Sequence, residues 1–179
     1  MKYTQEDIIQ GCYRGEREYQ KALYEMYSAR MYALCLRYLS NKEDAEDMLQ
    51  DTFIKIYDSK KHFKNINNLN AWIRTVFVNN ILSSFKKKKK IFTMDVENFS
   101  EQEIFVFDVD TNQFSTKELL QAVLSLKKEE RIIFNMLEIE DFSYKEVEQI
   151  TGRKASTLRS INMRAKIKIK NFLSQIKKY

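Results

Sequence analysis

The sequence predicts an all-α protein made of two small helical domains joined by an acidic linker. Three observations carry that expectation. Breakers are scarce: the 179 residues include no proline and only three glycines, Gly11, Gly15 and Gly152, so little interrupts helical stretches. Apolar residues recur at helical spacing through most of the chain. Charge is segregated: residues 1–90 hold 17 basic and 11 acidic side chains, 91–116 none and six, 117–140 four and five, and 141–179 ten and three. Two basic modules flanking an anionic stretch suggest two surfaces for an anionic partner and a linker that avoids it.

The elements follow in order. Thr4 and Asp7 have capping-box spacing for a short helix covering Ile8, Ile9 and Cys12, which Gly15 ends or bends. Residues 17–39 form a long helix with a stripe of Leu23, Tyr24, Tyr27, Met31, Leu34 and Tyr38. Asn41 with Asp44 opens a third helix through about Tyr57, with Ala45, Met48, Leu49, Phe53 and Ile56 facing the core. The polar stretch Ser59–Asn70 reads as a turn region, since Asn67, Asn68 and Asn70 favour turns. A helix from about Ala71 to Lys88 carries Trp72, Val76, Ile81 and Phe85. Segment 91–116 has scattered phenylalanines and no clean period, so it reads as the linker; its alternation at Glu103–Val109 leaves a short strand as the alternative. Ser115 and Glu118 restart helix, and helices of roughly 116–125 and 128–139 follow.

Residues 143–166 are the most informative. Ser143 and Glu146 have capping-box spacing for a helix over Tyr144–Thr151. Gly152 suits the left-handed stop. Leu158, Ile161 and Ala165 recur at core-facing spacing, leaving Arg159, Arg164 and Lys166 for phosphates or base edges. From Arg153 to the C-terminus there are nine cations and no Asp or Glu. The layout is that of a helix-turn-helix, whose second helix enters the major groove. A solvated basic helix is the bland alternative, and the coincidence of turn and charge disfavours it.

Two other clusters stand out. Glu43, Asp44, Glu46, Asp47 and Asp51 share one helix with Gln50. A metal or acid/base role is disfavoured, because His62 is the only histidine and clustered charge is usually a solvated face or a docking surface for a basic partner. Lys86–Lys90 follow Trp72, Phe77 and Asn79. Five lysines suggest phosphate contact, and the aromatics suit stacking on exposed bases, worth about 1–3 kcal/mol per base. Core packing is the alternative for Trp72. With no glycine-rich phosphate loop, no Cys-x-x-Cys and no nucleophile paired with histidine, no catalysis, cofactor or metal is expected. Two cysteines are too few for a disulfide framework, and neither a membrane-length apolar run nor a signal core is present. A cytoplasmic protein without membrane insertion is expected.

Two segments together carry a resemblance. Ala45-Glu46-Asp47-Met48-Leu49-Gln50-Asp51-Thr52-Phe53, then Asn70-Ala71-Trp72-Ile73 and Val78-Asn79-Asn80, resemble region 2 of extracytoplasmic-function sigma factors. Leu124-Ser125-Leu126, Glu129-Glu130-Arg131, Phe142-Ser143-Tyr144-Lys145-Glu146-Val147, Thr157-Leu158-Arg159-Ser160 and Arg164-Ala165-Lys166 resemble their region 4. The resemblance implies domains at 1–90 and 117–179, with a linker at 91–116 threading through polymerase. It implies core RNA polymerase contacts at Asp47, Gln50 and Asp51. Phe63, Asn70, Trp72, Asn79, Lys86 and Lys87 would read the −10 element around a flipped base, whose unstacking a pocket and basic groove must offset. Ser156, Arg159, Ser160 and Arg164 would read the −35 element. An anti-sigma factor and a monomeric free state are implied as well. Glu148 stands where the family usually has alanine, and Ile161-Asn162 inverts its usual polar–apolar order. Two other classes remain: a stand-alone helix-turn-helix regulator binding duplex DNA, and a helical adaptor with an incidental basic surface.

Overall fold

The computed structural model describes residues 3–87 and 113–176. Every regular element among them is helical, as the sparse breakers predict. The alternative strand at Glu103–Val109, most of the expected linker and Lys88–Lys90 lie outside the described residues. The chain divides into two compact units, Met1–Ser84 and Phe85–Tyr179.

In the first unit, α1 (Gln5–Arg14) starts at a capping box. Thr4 Oγ1 accepts from the Asp7 N–H at 3.1 Å, and Asp7 Oδ2 accepts from the Thr4 N–H at 2.9 Å. Gly15 closes the helix at φ 79°. In α2 (Arg17–Leu39) the buried line is Leu23, Tyr27, Met31, Leu34, Cys35 and Tyr38. Tyr24, expected in that stripe, is 41% exposed. It sits at the edge and covers Phe53, ring to ring at 4.9 Å.

Asn41 opens α3 (Lys42–Asp58), with its side chain accepting from the Glu43 N–H at 3.0 Å. Ala45, Leu49, Phe53 and Ile56 are buried as expected, while Met48 is only half-buried and Thr52 is fully buried. A hydroxyl fits there because it is spoken for locally: Thr52 Oγ1 donates to the Met48 carbonyl at 2.7 Å.

The stretch expected as a polar turn folds further than that. Lys60–Asn65 form a 3₁₀ helix whose Phe63 is 1% exposed. α4 (Leu69–Lys87) begins two residues earlier than the pattern suggests. Asn68 sets that start, its side chain accepting from the Ala71 N–H and its carbonyl from the Trp72 N–H, both at 3.0 Å. The fully buried Leu69 anchors the first turn. Phe77 then meets Phe53 edge-on at 5.3 Å, and burying such a ring is worth about 1.5–3 kcal/mol.

In the second unit, α5 (Thr116–Leu124) opens on the Ser115/Glu118 capping box. α6 (Lys128–Phe134) runs into a π turn, Asn135–Ile139. α7 (Tyr144–Thr151) has the predicted bounds, capped by Ser143/Glu146 and stopped by Gly152 at φ 73°. α8 (Ala155–Ile176) packs Ala165, Ile169 and Leu173 against Ala122, Val123, Leu126 and Phe134. Buried Arg131 donates from Nη1 to the Leu126 carbonyl at 3.1 Å, tying the α5–α6 connection to α6.

Two outcomes test these assignments. A Cβ on Gly11 would overlap the root of the Tyr19 side chain, so Gly11→Ala is expected to lower unfolding free energy by about 1–3 kcal/mol in urea titration. An unchanged midpoint would contradict that packing. Hydrogen bonds from Thr4, Ser115 and Ser143, side chain first and backbone second, hold the Asp7, Glu118 and Glu146 carboxyls below their ordinary values. Their contribution is complete above the ordinary carboxyl pKa and is lost as pH falls through the lowered folded values. Glu146→Gln should therefore flatten part of the acid limb of stability against pH, and an identical limb would count against the cap.

Candidate nucleic-acid interface

The outward face of α3 is anionic. Glu43, Asp44, Glu46, Asp47, Gln50 and Asp51 are all exposed, and the first four lie in the helix's opening turns, where the positive end of its dipole favours them. Ile54 lies among them at 56% exposure, an apolar residue on a charged face that sequence reasoning passed over. Its signal was position alone: it falls opposite the buried Ala45–Leu49–Phe53 line. Among the described residues no group of three His, Cys, Asp or Glu side chains gathers to hold a metal.

The opposite flank of α3 is tied to α4. Asn80 Nδ2 donates to Thr52 Oγ1 at 2.6 Å, and Asn80 Oδ1 accepts from Lys55 Nζ at 2.8 Å. Asn80 thus turns inward while its neighbour Asn79 is exposed. The two adjacent amides have different tasks: one joins helices and the other faces outward.

The remaining candidates on this unit separate by burial. Asn70 is exposed and accepts from the Tyr27 hydroxyl at 2.8 Å, which fixes its amide. Trp72 is half-buried, its ring 5.1 Å from Phe63. Phe63 lies deeper than the others. At 1% exposure it presents no ring to a partner and serves as the floor beneath Trp72. The backbone of α4 continues through Lys86 and Lys87, whose side chains lie outside the described residues.

In the second unit, α7, Gly152 and α8 make the predicted helix-turn-helix. Val147 from α7 and Leu158 and Ile161 from α8 are buried between them. Ser156 and Arg159 are exposed on the opening turns of α8. The Arg159 guanidinium lies over the Tyr144 ring at 5.3 Å, which restricts where it can point. Ser160 is half-buried and donates to the Ser156 carbonyl at 3.2 Å. Arg164 is half-buried with its Nε buried and without a hydrogen-bond partner. Glu148 is exposed, so an acid in that slot meets solvent. Asn162, by contrast, is 2% exposed, and its amide donates to Glu138 Oε1 at 2.6 Å.

Not every cation of the basic tail faces outward, as the sequence reading had it. Lys166 Nζ pairs with Glu138 Oε1 at 2.7 Å, Lys168 with Glu130 at 2.7 Å, and Arg153 with Glu129 at 3.0 Å. The acids come from α6 and the π turn, far enough away in sequence that a local charge count does not connect them.

Two family descriptions match the chain, in the order the geometry suggests: Sigma-70 region 2 over residues 23–91 and Sigma-70, region 4 over residues 116–169. The chain belongs to the sigma-70 family. The ECF RNA polymerase sigma-E factor of Haemophilus influenzae is 26% identical over 94% of each chain. The RNA polymerase sigma factor SigV of Bacillus subtilis is 25% identical over 75% of this chain and 78% of its own. A solved structure of the sigma factor RpoE in complex with the anti-sigma factor NepR from Bartonella quintana covers 86% of this chain and 96% of that one, at 22% identity and a TM-score of 0.49. A sigma factor directs core RNA polymerase to promoters and assists their melting, and that is what this chain does. The region 2 match gives the first unit the role that a stand-alone helix-turn-helix regulator would leave unassigned.

The two asparagines of α4 are separable. Asn80→Ala strips the buried Thr52 hydroxyl of one partner and is expected to cost about 1–3 kcal/mol of stability. Asn79→Ala, at an exposed position, should stay within about 0.5 kcal/mol. Equal losses in urea titrations of the two variants would overturn the inward/outward distinction.

Proposed function

We propose that the two units divide the work of an extracytoplasmic-function sigma factor. Residues 1–90 dock on core polymerase and read the −10 element, residues 91–116 link, and residues 117–179 read the −35 element. The observation that supports this best is the order of the two family signals along one chain, each lying largely within its own compact unit.

Docking falls to the anionic face of α3, with Asp47, Gln50 and Asp51 as contacts, since that face is exposed and of one sign. Promoter opening falls to the Trp72–Asn79 side of α4. Trp72 is half-exposed over Phe63, ready to cover an unstacked base. Lys86 and Lys87 would hold adjacent phosphates. At the −35 element, Ser156 and Arg159 approach base edges from the exposed start of α8, with Ser160 and Arg164 beside them. The protein acts in the cytoplasm beside polymerase, as an initiation factor without chemistry or cofactor of its own. When free it is a monomer, and an anti-sigma factor is among its partners.

The test has two stages. The purified chain is expected to co-migrate with bacterial core polymerase on gel filtration. If it fails to do so with polymerase that accepts another sigma factor, the reading falls. In the assembled holoenzyme, Asn79→Ala and Trp72→Ala should lower promoter opening at least tenfold while leaving polymerase binding within twofold. Parallel loss of both would remove these residues from the DNA surface.

A further inference from the structure

We propose that Glu138 is a specificity-determining residue of the −35 module because it withholds Lys166 from DNA. The inference rests on the assignment of α8 to the major groove.

Arg159 and Lys166 are seven residues apart on α8, two turns and about 10 Å along one stripe. A helix that brings Arg159 to DNA would therefore also bring Lys166 near the backbone. Glu138 intercepts it. Its Oε1 forms an ion pair with Lys166 Nζ at 2.7 Å and accepts a hydrogen bond from Asn162 Nδ2 at 2.6 Å, from two residues one turn apart on the same helix. The Lys166 and Glu138 side chains are only 24% and 28% exposed, so solvent and salt screen the pair incompletely. Asn162 is buried and cannot release the carboxylate without leaving its own amide unpaired.

The π turn places the acid. Its closing bonds, Glu140 N–H to the Asn135 carbonyl and Phe142 N–H to the Met136 carbonyl at 2.9 Å each, fix the chain on either side of Glu138.

The consequence is a change in what α8 offers DNA. A lysine on phosphate strengthens binding almost uniformly across sequences. Holding Lys166 on Glu138 removes that sequence-blind contribution. Discrimination is left to Ser156, Arg159 and Ser160, nearer the start of the helix.

Glu138→Gln separates this role from a structural one, because the glutamine oxygen still accepts from Asn162 while the charge that holds Lys166 is gone. The readout is binding of the full chain, assembled with core polymerase, to a −35-containing duplex and to a scrambled duplex over a potassium chloride series. Glu138→Gln should tighten binding severalfold to both, steepen the slope of log K against log salt by about 0.9, and lower the ratio between the duplexes. Adding Lys166→Gln should restore the original slope. Lys166→Gln alone, in the otherwise native chain, should leave slope and ratio unchanged. A shallower slope for that single variant would mean that Lys166 already touches DNA, and would overturn the proposal. So would a Glu138→Gln chain that folds normally by thermal unfolding but keeps its slope, or loses affinity for both duplexes alike. Arg159→Ala is the control. If it weakens −35 binding while Glu138→Gln changes nothing, this inference alone fails; if neither variant changes binding, the assignment of α8 to DNA fails with it.

Discussion

Each α-helix opens with backbone N–H groups that have no partner inside it, and this chain has no proline to mark where that happens. Five of the described starts are set by side chains instead. Thr4, Asn41, Asn68, Ser115 and Ser143 each accept from an N–H of the first turn. A cap fixes where a helix begins, and the beginning fixes which residues share a face. The Asn68 cap rotates α4 so that Phe77 and Ile81 go inward and Asn79 outward. The Ser143 cap and Gly152 stop together hold α7 to eight residues, which determines where α8 starts and so which of its side chains lead.

Electrostatics refines what the caps lay out. The second unit pairs acids on α6 and the π turn with Arg153, Lys166 and Lys168. Part of its basic charge is thus internal cohesion, and the surface presented at the start of α8 is narrower and more selective than the composition implies. In the first unit the α3 acids are exposed, and neutral groups such as Thr52, Asn80, Tyr27 and Asn70 supply ties between helices.

Much of this was legible in the chain. The ends of α1 and α7 follow from residues a few positions apart, because caps and glycine stops are local. The outward acids of α3 follow from its period. The burial of Phe63 was not legible, because a 3₁₀ turn inside a polar stretch buries one aromatic without leaving a repeat. Asn79 and Asn80 look alike in sequence, and only the hydroxyl of Thr52, 28 positions earlier, decides which turns in. Lys166 was read as available because Glu138 is likewise 28 positions away. Periodicity resolves faces, whereas pairings between helices depend on how those faces meet.

The two cysteines have a consequence of another kind. Cys12 and Cys35 are 1% and 0% exposed, and burial pushes both thiols up to about 12. While the fold is closed, neither is a thiolate at neutral pH nor reachable by a reagent. Both belong to the first unit, and the sequence has no others. Alkylation is therefore a clock that runs only when that unit opens, and the second unit contributes no background.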